Sequence, residues 1–180
     1  FWQGGGQKIR VRTVAGGRYN SYGLDFEEPW FMGRKLRFTT SLYSRELEYY
    51  SDKFNVEENG VRFGLERTLL GNDYLRGNVN LTFEDSGLVG VNSDASTELK
   101  SEEGTDLISQ VGVGIAYDTR GGGNLPTKGQ RTSFDLKVAP DVLGSENEFY
   151  GFHLKSAWYF KGLREGHVIE LHGQVAVVDA

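Results

Sequence analysis

The chain has 180 residues, no cysteine and a formal net charge of −5 at pH 7. These values exclude a disulfide framework and thiolate metal sites, and the net negative charge argues against a nucleic-acid partner. No apolar run approaches the roughly 20 residues that a membrane-spanning helix needs. With 25 glycines, 9 tyrosines and 11 phenylalanines, the composition instead favours an all-β chain of many strands and turns.

The first two predicted strands form a hairpin with one apolar and one charged face. Residues 8–15 alternate apolar and basic side chains, and residues 21–28 alternate apolar side chains with Gly, Asp and Glu. Gly16 and Gly17 break the pattern between them, as in a β-hairpin turn. We expect the carboxylates of Asp25 and Glu27 to face the basic side of the first strand.

A proline turn with large aromatic residues follows the second strand. It contains Glu28, Pro29, Trp30 and Phe31. Aromatic residues at strand ends are typical of membrane barrels, which use them as anchors at the membrane interface.

Seven further strands are predicted from the same alternation, near residues 36–42, 61–65, 75–83, 111–117, 132–138, 149–160 and 169–177. The connections between them alternate in length. Residues 45–59, 85–105 and 140–148 are polar and are predicted to be long loops, whereas residues 70–73 and 161–166 are short turns. Outer-membrane barrels have this pattern, with long external loops and short periplasmic turns.

The connection between the sixth and seventh strands carries the most specific motif. It reads Asp118-Thr-Arg120, then a glycine run, then Pro126-Thr127-Lys-Gly129. Set between alternating strands, this motif resembles the signature turn of the bacterial surface-antigen barrels, the family of BamA-like outer-membrane assembly proteins. The earlier Glu28-Pro29-Trp30-Phe31 turn resembles the end of the second barrel strand in the same family.

The resemblance implies an antiparallel up-and-down transmembrane β-barrel that residues 1–180 leave incomplete. Nine antiparallel strands cannot close in the usual way, because bacterial single-chain barrels have even strand numbers. From the family we expect about sixteen strands in all, of which this chain supplies the N-terminal part. Periplasmic domains are expected upstream, together with any signal peptide.

The resemblance also implies a function in the bacterial outer membrane. Such proteins fold and insert client β-barrel proteins, and their partners are membrane lipids, the clients and accessory lipoproteins. The first strand is expected to be the edge that templates the client. Its pairing edge comprises Lys8, Ile9, Arg10, Val11, Arg12, Thr13 and Val14. The glycines at 4–6 are expected to weaken its start.

The remaining charged strand positions face inward if the apolar set faces lipid. These are Lys8, Arg10, Arg12, Arg37, Arg62, Glu66 and Arg76. They indicate either a wet barrel interior with balanced charges or a contact surface for a loop from the other half of the barrel.

We find no pattern for catalysis, a cofactor or a metal. His167 and His172 are five residues apart and point to opposite faces of a strand, so they are poor co-ligands. Neither glycine run ends in the Gly-Lys-Ser or Gly-Lys-Thr of a phosphate loop, and no Gly-x-Ser-x-Gly elbow is present.

Two alternatives to an assembly factor stay open on the sequence. One is a barrel of the same superfamily that translocates a polypeptide. The other is a membrane anchor for a surface enzyme whose catalytic domain lies upstream.

Overall fold

The computed structural model describes residues 6–48, 53–121, 126–164 and 166–179. Nine strands form one sheet in which every neighbour in sequence is a neighbour in space, in the order β1 to β9. All eight pairings are antiparallel. The strands are β1 Lys8–Ala15, β2 Tyr19–Glu28, β3 Arg37–Glu48, β4 Asn55–Leu69, β5 Asn72–Val89, β6 Gly104–Asp118, β7 Gly129–Ala139, β8 Phe149–Lys161 and β9 Val168–Asp179.

The predicted fold class is confirmed: the chain is all-β, with nine strands in an up-and-down order and an unclosed sheet. β1 pairs only with β2, and β9 only with β8, within the described residues. Among the described residues, three short helical segments lie in the connections between strands. They are a 3₁₀ turn at Phe31–Gly33, the helix α1 at Thr97–Ser101 and a 3₁₀ turn at Asp141–Leu143. No described helix is long and apolar enough to cross a membrane.

The prediction of a loop at residues 45–59 is wrong for most of these residues, which belong to strands. β3 continues to Glu48 and β4 starts at Asn55, so polar residues on both sides pair as strands. Arg45 lies opposite Glu58 and forms an ion pair with it at 3.2 Å. This ion pair offsets the low strand propensity of Glu58, whereas Glu57 lies opposite Glu46, a like charge.

The polar stretch at residues 85–105 is likewise shorter as a loop than predicted. β5 extends to Val89, and β6 begins at Gly104, seven residues before the predicted start near 111. The connection between them contains α1, which Ser96 caps by accepting a hydrogen bond from the Leu99 backbone N–H. β4 and β5 have 15 and 18 residues. A membrane crossing needs only about 9–11 residues, so these strands project beyond the lipid.

The register separates the sheet into two chemically different faces. We name the apolar side the outer face and the charged side the inner face. Cross-strand partners share a face, so the row Leu42, Val61 and Phe83 lies outside, whereas the row Ser41, Arg62 and Thr82 lies inside. The outer face also carries all eight aromatic residues that the alternation predicts to point away from the interior. They are Tyr22, Phe26, Phe38, Phe63, Phe83, Phe134, Phe152 and Trp158.

Within the described part of the chain, no protein layer covers the outer face. Val79 is 50% exposed and Leu171 60% exposed, and Ala95 and Ala139 are the only buried hydrophobic residues among those described. A soluble sandwich of two sheets would bury these side chains in a core. A continuous apolar face without such cover is instead the surface that a barrel presents to lipid.

Glycines on the inner face allow large polar side chains to lie flat on the sheet. Tyr43 covers Gly60, where an added Cβ would lie 2.6 Å from the tyrosine ring. The Tyr43 hydroxyl donates a hydrogen bond to Glu84, and the Arg45 guanidinium lies 4.9 Å from the centre of its ring. The inner face is therefore crowded and polar, as expected of a barrel interior.

An added charge should change the stability of the barrel differently on the two faces. Leu154 is on the outer face near the middle of β8, and its neighbour His153 is on the inner face. In the complete barrel, Leu154→Arg should cost about 2–4 kcal/mol of unfolding free energy, because arginine at the membrane midplane loses its hydration. The matched control His153→Arg should stay within about 0.5 kcal/mol.

Urea unfolding of the barrel in lipid vesicles measures both values. Equal losses for the two variants would mean that the outer face does not contact lipid.

Candidate functional site

Two groups of predicted residues are brought to defined positions in the sheet: the edge strand β1 and the two motif turns. The β2–β3 and β6–β7 connections lie at the same end of the sheet, together with the start of β1. We call this end the motif end and the other the opposite end. In an up-and-down sheet, every second connection lies at the same end. The β2–β3 and β6–β7 turns must therefore lie at one end of this sheet.

The first motif turn is tied to the start of β1. The Glu28 carboxylate accepts hydrogen bonds from the Trp30 backbone N–H at 2.9 Å and from the side-chain amide of Gln7. Gln7 immediately precedes β1, so Glu28 connects the edge strand with the turn. Phe31 stacks on Phe38, with ring centres 4.8 Å apart.

The second motif turn is organised by Asp118 and Arg120, which are two residues apart in the sequence. The Arg120 guanidinium donates two hydrogen bonds to the Asp118 carboxylate, at 2.9 and 2.8 Å, and the Arg120 backbone N–H donates a third at 3.1 Å. Two parallel bonds fix the relative orientation of both groups. The hydrogen bond that Arg120 donates to Asp118 raises the pKa of Arg120 further above its already high ordinary value.

Partners from three other strands complete the cluster around Asp118. Arg131, opposite Asp118 in register, lies 3.8 Å from its carboxylate. Arg120 lies 6.0 Å from the ring centre of Tyr159 on β8, and the Tyr159 hydroxyl donates a hydrogen bond to Glu170 on β9 at 3.0 Å. Sequence reasoning missed Tyr159 and Glu170. The alternation of their strands predicts that both side chains face inward. Their proximity to Asp118 depends on the register across four strands, which the sequence does not show.

The glycine of the motif has a steric role. Gly129 starts β7 with a φ of +99°, and an added Cβ would lie 2.6 Å from the backbone oxygen of Thr119. Thr119 closes the turn by bonding Gln130 through both backbone and side chain, at 2.8 and 3.0 Å. Pro126 and Thr127 lie in the irregular stretch before β7. Gly122 and Gly123 of the glycine run lie outside the described residues, as do Gly4 and Gly5.

The edge strand β1 is held to the sheet by inner-face polar contacts at two levels. Lys8 lies 3.6 Å from Glu27, and Arg12 lies 2.9 Å from Asp25, which also accepts a hydrogen bond from Ser41. Arg10 is opposite Asp25 in register, but the carboxylate binds Arg12 instead. The predicted pairing of this hairpin is therefore right for Arg12, and no described contact shows it for Arg10.

An alternating row of charges continues from β1 to β5 on the inner face of the motif end. Glu27 also contacts Arg37 at 3.6 Å, Arg37 contacts Glu66 at 3.3 Å, and Glu66 contacts Arg76 at 3.8 Å. These side chains are partly exposed, so each pair stabilises little. The row supports the interpretation of a wet interior with balanced charges.

All eight residues of β1 are exposed, and Ile9 and Val11 are exposed at 73% and 71%. The whole predicted pairing edge lies on this strand. β1 has 8 residues, fewer than the about 9–11 of a full membrane crossing. All twelve residues of β9, at the other edge of the described sheet, are exposed as well, so β1 differs from β9 in its length and not in its exposure.

The described residues contain no group of three or more His, Asp or Glu side chains arranged to hold a metal ion. His153 and His172 both lie on the inner face, opposite Ala176 and Ala157 respectively.

The fold and these turns define a segment of a bacterial outer-membrane β-barrel. A family model described as the Omp85 superfamily domain matches residues 2–179, and the chain belongs to this superfamily. Its members are assembly and translocation barrels rather than enzymes. The resemblance to BamA-like barrels is thereby confirmed.

Solved structures support the same fold. The crystal structure of BamA from Haemophilus ducreyi lacking POTRA domains 1–3 superposes with a TM-score of 0.77 at 16% identity. The match covers 98% of this chain and 36% of that chain, so the chain spans about a third of that protein's length in the structure. No curated protein sequence matches.

The steric role of Gly129 predicts a position-specific effect in one turn. Gly129→Ala should destabilise the barrel by about 1–3 kcal/mol, since the new side chain meets a backbone oxygen in an unfavourable φ region. Gly121→Ala is the matched control, because an added Cβ there meets nothing within 4 Å and its φ is outside the left-handed region. Unfolding in lipid vesicles compares the two, and equal stability would show that β7 does not begin as described.

Proposed function

We propose that this chain is the N-terminal part of the barrel of an outer-membrane assembly factor, which folds and inserts client β-barrel proteins. The observation that carries the proposal is β1, an eight-residue strand at the edge of the described sheet that inner-face ion pairs hold to β2. The superfamily and the BamA-like fold support a barrel of this kind, and assembly is the activity that such an edge fits best.

The free-energy cost of an unpaired strand edge in lipid explains why β1 would pair with a client strand. Backbone N–H and C=O groups without partners cost several kcal/mol each in hydrocarbon, so β1 must pair on its free side. In the complete barrel that partner is a closing strand, and during assembly it is the last strand of a client. Exchange requires a closing seam that is weaker than the ladders inside the sheet.

The length of β1 supports a weak seam. It offers at most 8 residues to a partner, as few as the β6–β7 ladder inside the sheet, whereas β8 and β9 pair over 12 residues. The inner-face contacts of Lys8 and Arg12 hold β1 to β2, so the hairpin can stay attached to the sheet while its other side exchanges partners. Backbone hydrogen bonds supply the affinity in strand addition, and alternate side chains set the register.

The two motif turns have a structural role in this proposal. The motif end faces the periplasm, and Asp118, Arg120 and Gly129 fix the path of the chain between β6 and β7. Glu28, Pro29, Trp30 and Phe31 fix the β2–β3 turn and connect it with the start of β1. Periplasmic domains and accessory lipoproteins would then approach the barrel from this end.

Polypeptide translocation is the second candidate, and the polar inner face is the observation that favours it. A wet, charge-balanced interior suits passage of an extended chain. Translocation needs no opening of the β1 edge, which distinguishes the two functions.

Single cysteines on the edge test the proposal in the full-length protein. Ile9→Cys and Val11→Cys should form crosslinks with the last strand of a stalled client barrel. Val79→Cys is the control, since it is an outer-face position within the sheet that is 50% exposed. Crosslinks that form only with strands of the same protein, or a client trapped inside the barrel, would contradict templating.

Two substitutions at Arg10 distinguish the contribution of its backbone to client assembly from that of its side chain. Arg10→Ala should be mild, because the side chain has no described partner and the ladder stays intact. Arg10→Pro should abolish most client assembly, because proline removes a backbone donor. Client assembly is measured as the yield of folded client in vesicles, and a folded Arg10→Pro barrel with normal yield would overturn the assignment.

A further inference from the structure

Three exposed cations on the inner face have no acidic partner among the described contacts. They are Arg62 on β4, Lys137 on β7 and Lys155 on β8. The described hydrogen bond of Arg62 joins its Nε to the hydroxyl of Thr82 at 3.1 Å. The balance of charges in the row from β1 to β5 at the motif end therefore does not extend to these three side chains.

The carboxylates on the same part of the inner face do not neutralise these cations. The Glu66 carboxylate contacts two arginines of the motif-end row, at 3.3 and 3.8 Å, and Glu84 accepts a hydrogen bond from a tyrosine hydroxyl. Asp135 forms no described ion pair. Its carboxylate lies over Gly114, where an added Cβ would be 2.5 Å from the Asp135 oxygen and 2.6 Å from the amide nitrogen of Asn78. One carboxylate without an ion pair thus lies among three such cations, and this region has an excess of positive charge.

The three cations line two adjacent cavities, which we together call the inner groove. Arg62 and Lys137 line a cavity of about 280 Å³, and Lys137 and Lys155 line one of about 450 Å³. The two cavities are adjacent because Asn80, Gln110 and Lys137 line both of them. The register places every charged and amide side chain that lines them on the inner face. Outer-face residues that also line them do so because the backbone of the sheet forms the floor of the groove.

The length and lining of the inner groove fit an extended polypeptide. The groove crosses the strands from β3 to β9, and neighbouring strands are about 4.8 Å apart, so its length along the sheet is about 29 Å, that of roughly nine extended residues. The side-chain amides of Asn78, Asn80 and Gln110 can donate hydrogen bonds to a peptide backbone and accept them from it. Phe149 and Val178 add an apolar patch near the opposite end of β8 and β9. A small anion would contact only part of this surface.

We propose that the inner groove binds an extended, acidic segment of another polypeptide that enters the barrel interior. The terminal nitrogens of Arg62 bind one carboxylate of the segment, because only the Nε is bonded to Thr82. Lys137 and Lys155 bind further carboxylates along it. Assembly and translocation barrels act on other polypeptides, so a segment of this kind is the occupant that fits the superfamily. Binding in the groove does not require β1 to exchange partners.

Peptide binding to the purified full-length protein in lipid nanodiscs tests the inner groove. The probe is a dye-labelled peptide of about nine residues that alternates glutamate with serine, and its controls carry glutamine or lysine in place of glutamate. Fluorescence anisotropy should show binding of the glutamate peptide alone, and added salt should weaken that binding. Lys137→Gln and Arg62→Gln should each lower the affinity about fivefold, as expected for the loss of one partly exposed charge contact.

Lys161→Gln is the matched control, because Lys161 lies on the inner face of the same strand as Lys155 but outside the groove. It should leave the affinity unchanged, and Lys137→Arg should retain it. Equal binding of the glutamine or lysine peptide, full affinity in Lys137→Gln, or an equal loss in Lys161→Gln would each overturn the proposal. Two further results would do the same: no binding at all, as when a segment of the protein itself fills the groove, and displacement of the peptide by inorganic phosphate at a charge-equivalent concentration. The assay contains no client barrel, so its failure is distinct from failure of the assembly function.

Discussion

The structure depends on one constraint: in lipid, every backbone N–H and C=O group must find a partner within the protein. The nine-strand meander meets it by pairing each strand with its sequence neighbour, so that only β1 and β9 keep a free side within the described chain. The two faces follow from the same ladder. Side chains such as Leu154 alternate with side chains such as His153 because the pleat sends them to opposite sides.

Much of this could be predicted from the sequence, because strand alternation is a local property. The face of each aromatic residue and the Asp118–Arg120 pair, two residues apart, needed no knowledge of distant partners. The strand ends could not be predicted in the same way. Glu58 is a poor strand former in isolation, and its place in β4 is supported by the ion pair with Arg45 across the ladder. The contact of Arg120 with Tyr159 also depends on the register of β6 to β8.

The β2–β3 motif turn and the edge strand are linked by side-chain contacts at the motif end of the sheet. Glu28 connects Gln7 with the β2–β3 turn, and the charge row from Lys8 to Arg76 links β1 with the interior strands. These contacts are polar and partly exposed, so each is weak. In the proposed assembly function, weak inner-face contacts with β2 and a short ladder on the other side would let β1 stay attached while its free side changes partners.

The central claim is that β1 is the least stable strand of the barrel, and backbone hydrogen exchange measures this most directly. In the full-length protein in lipid, the amides of β1 should exchange faster than those of β4 and β5 by orders of magnitude, because local opening of a short seam exposes them. Added client should slow exchange in β1 and leave β4 and β5 unchanged. Protection of β1 equal to that of β5, with or without client, would contradict the account.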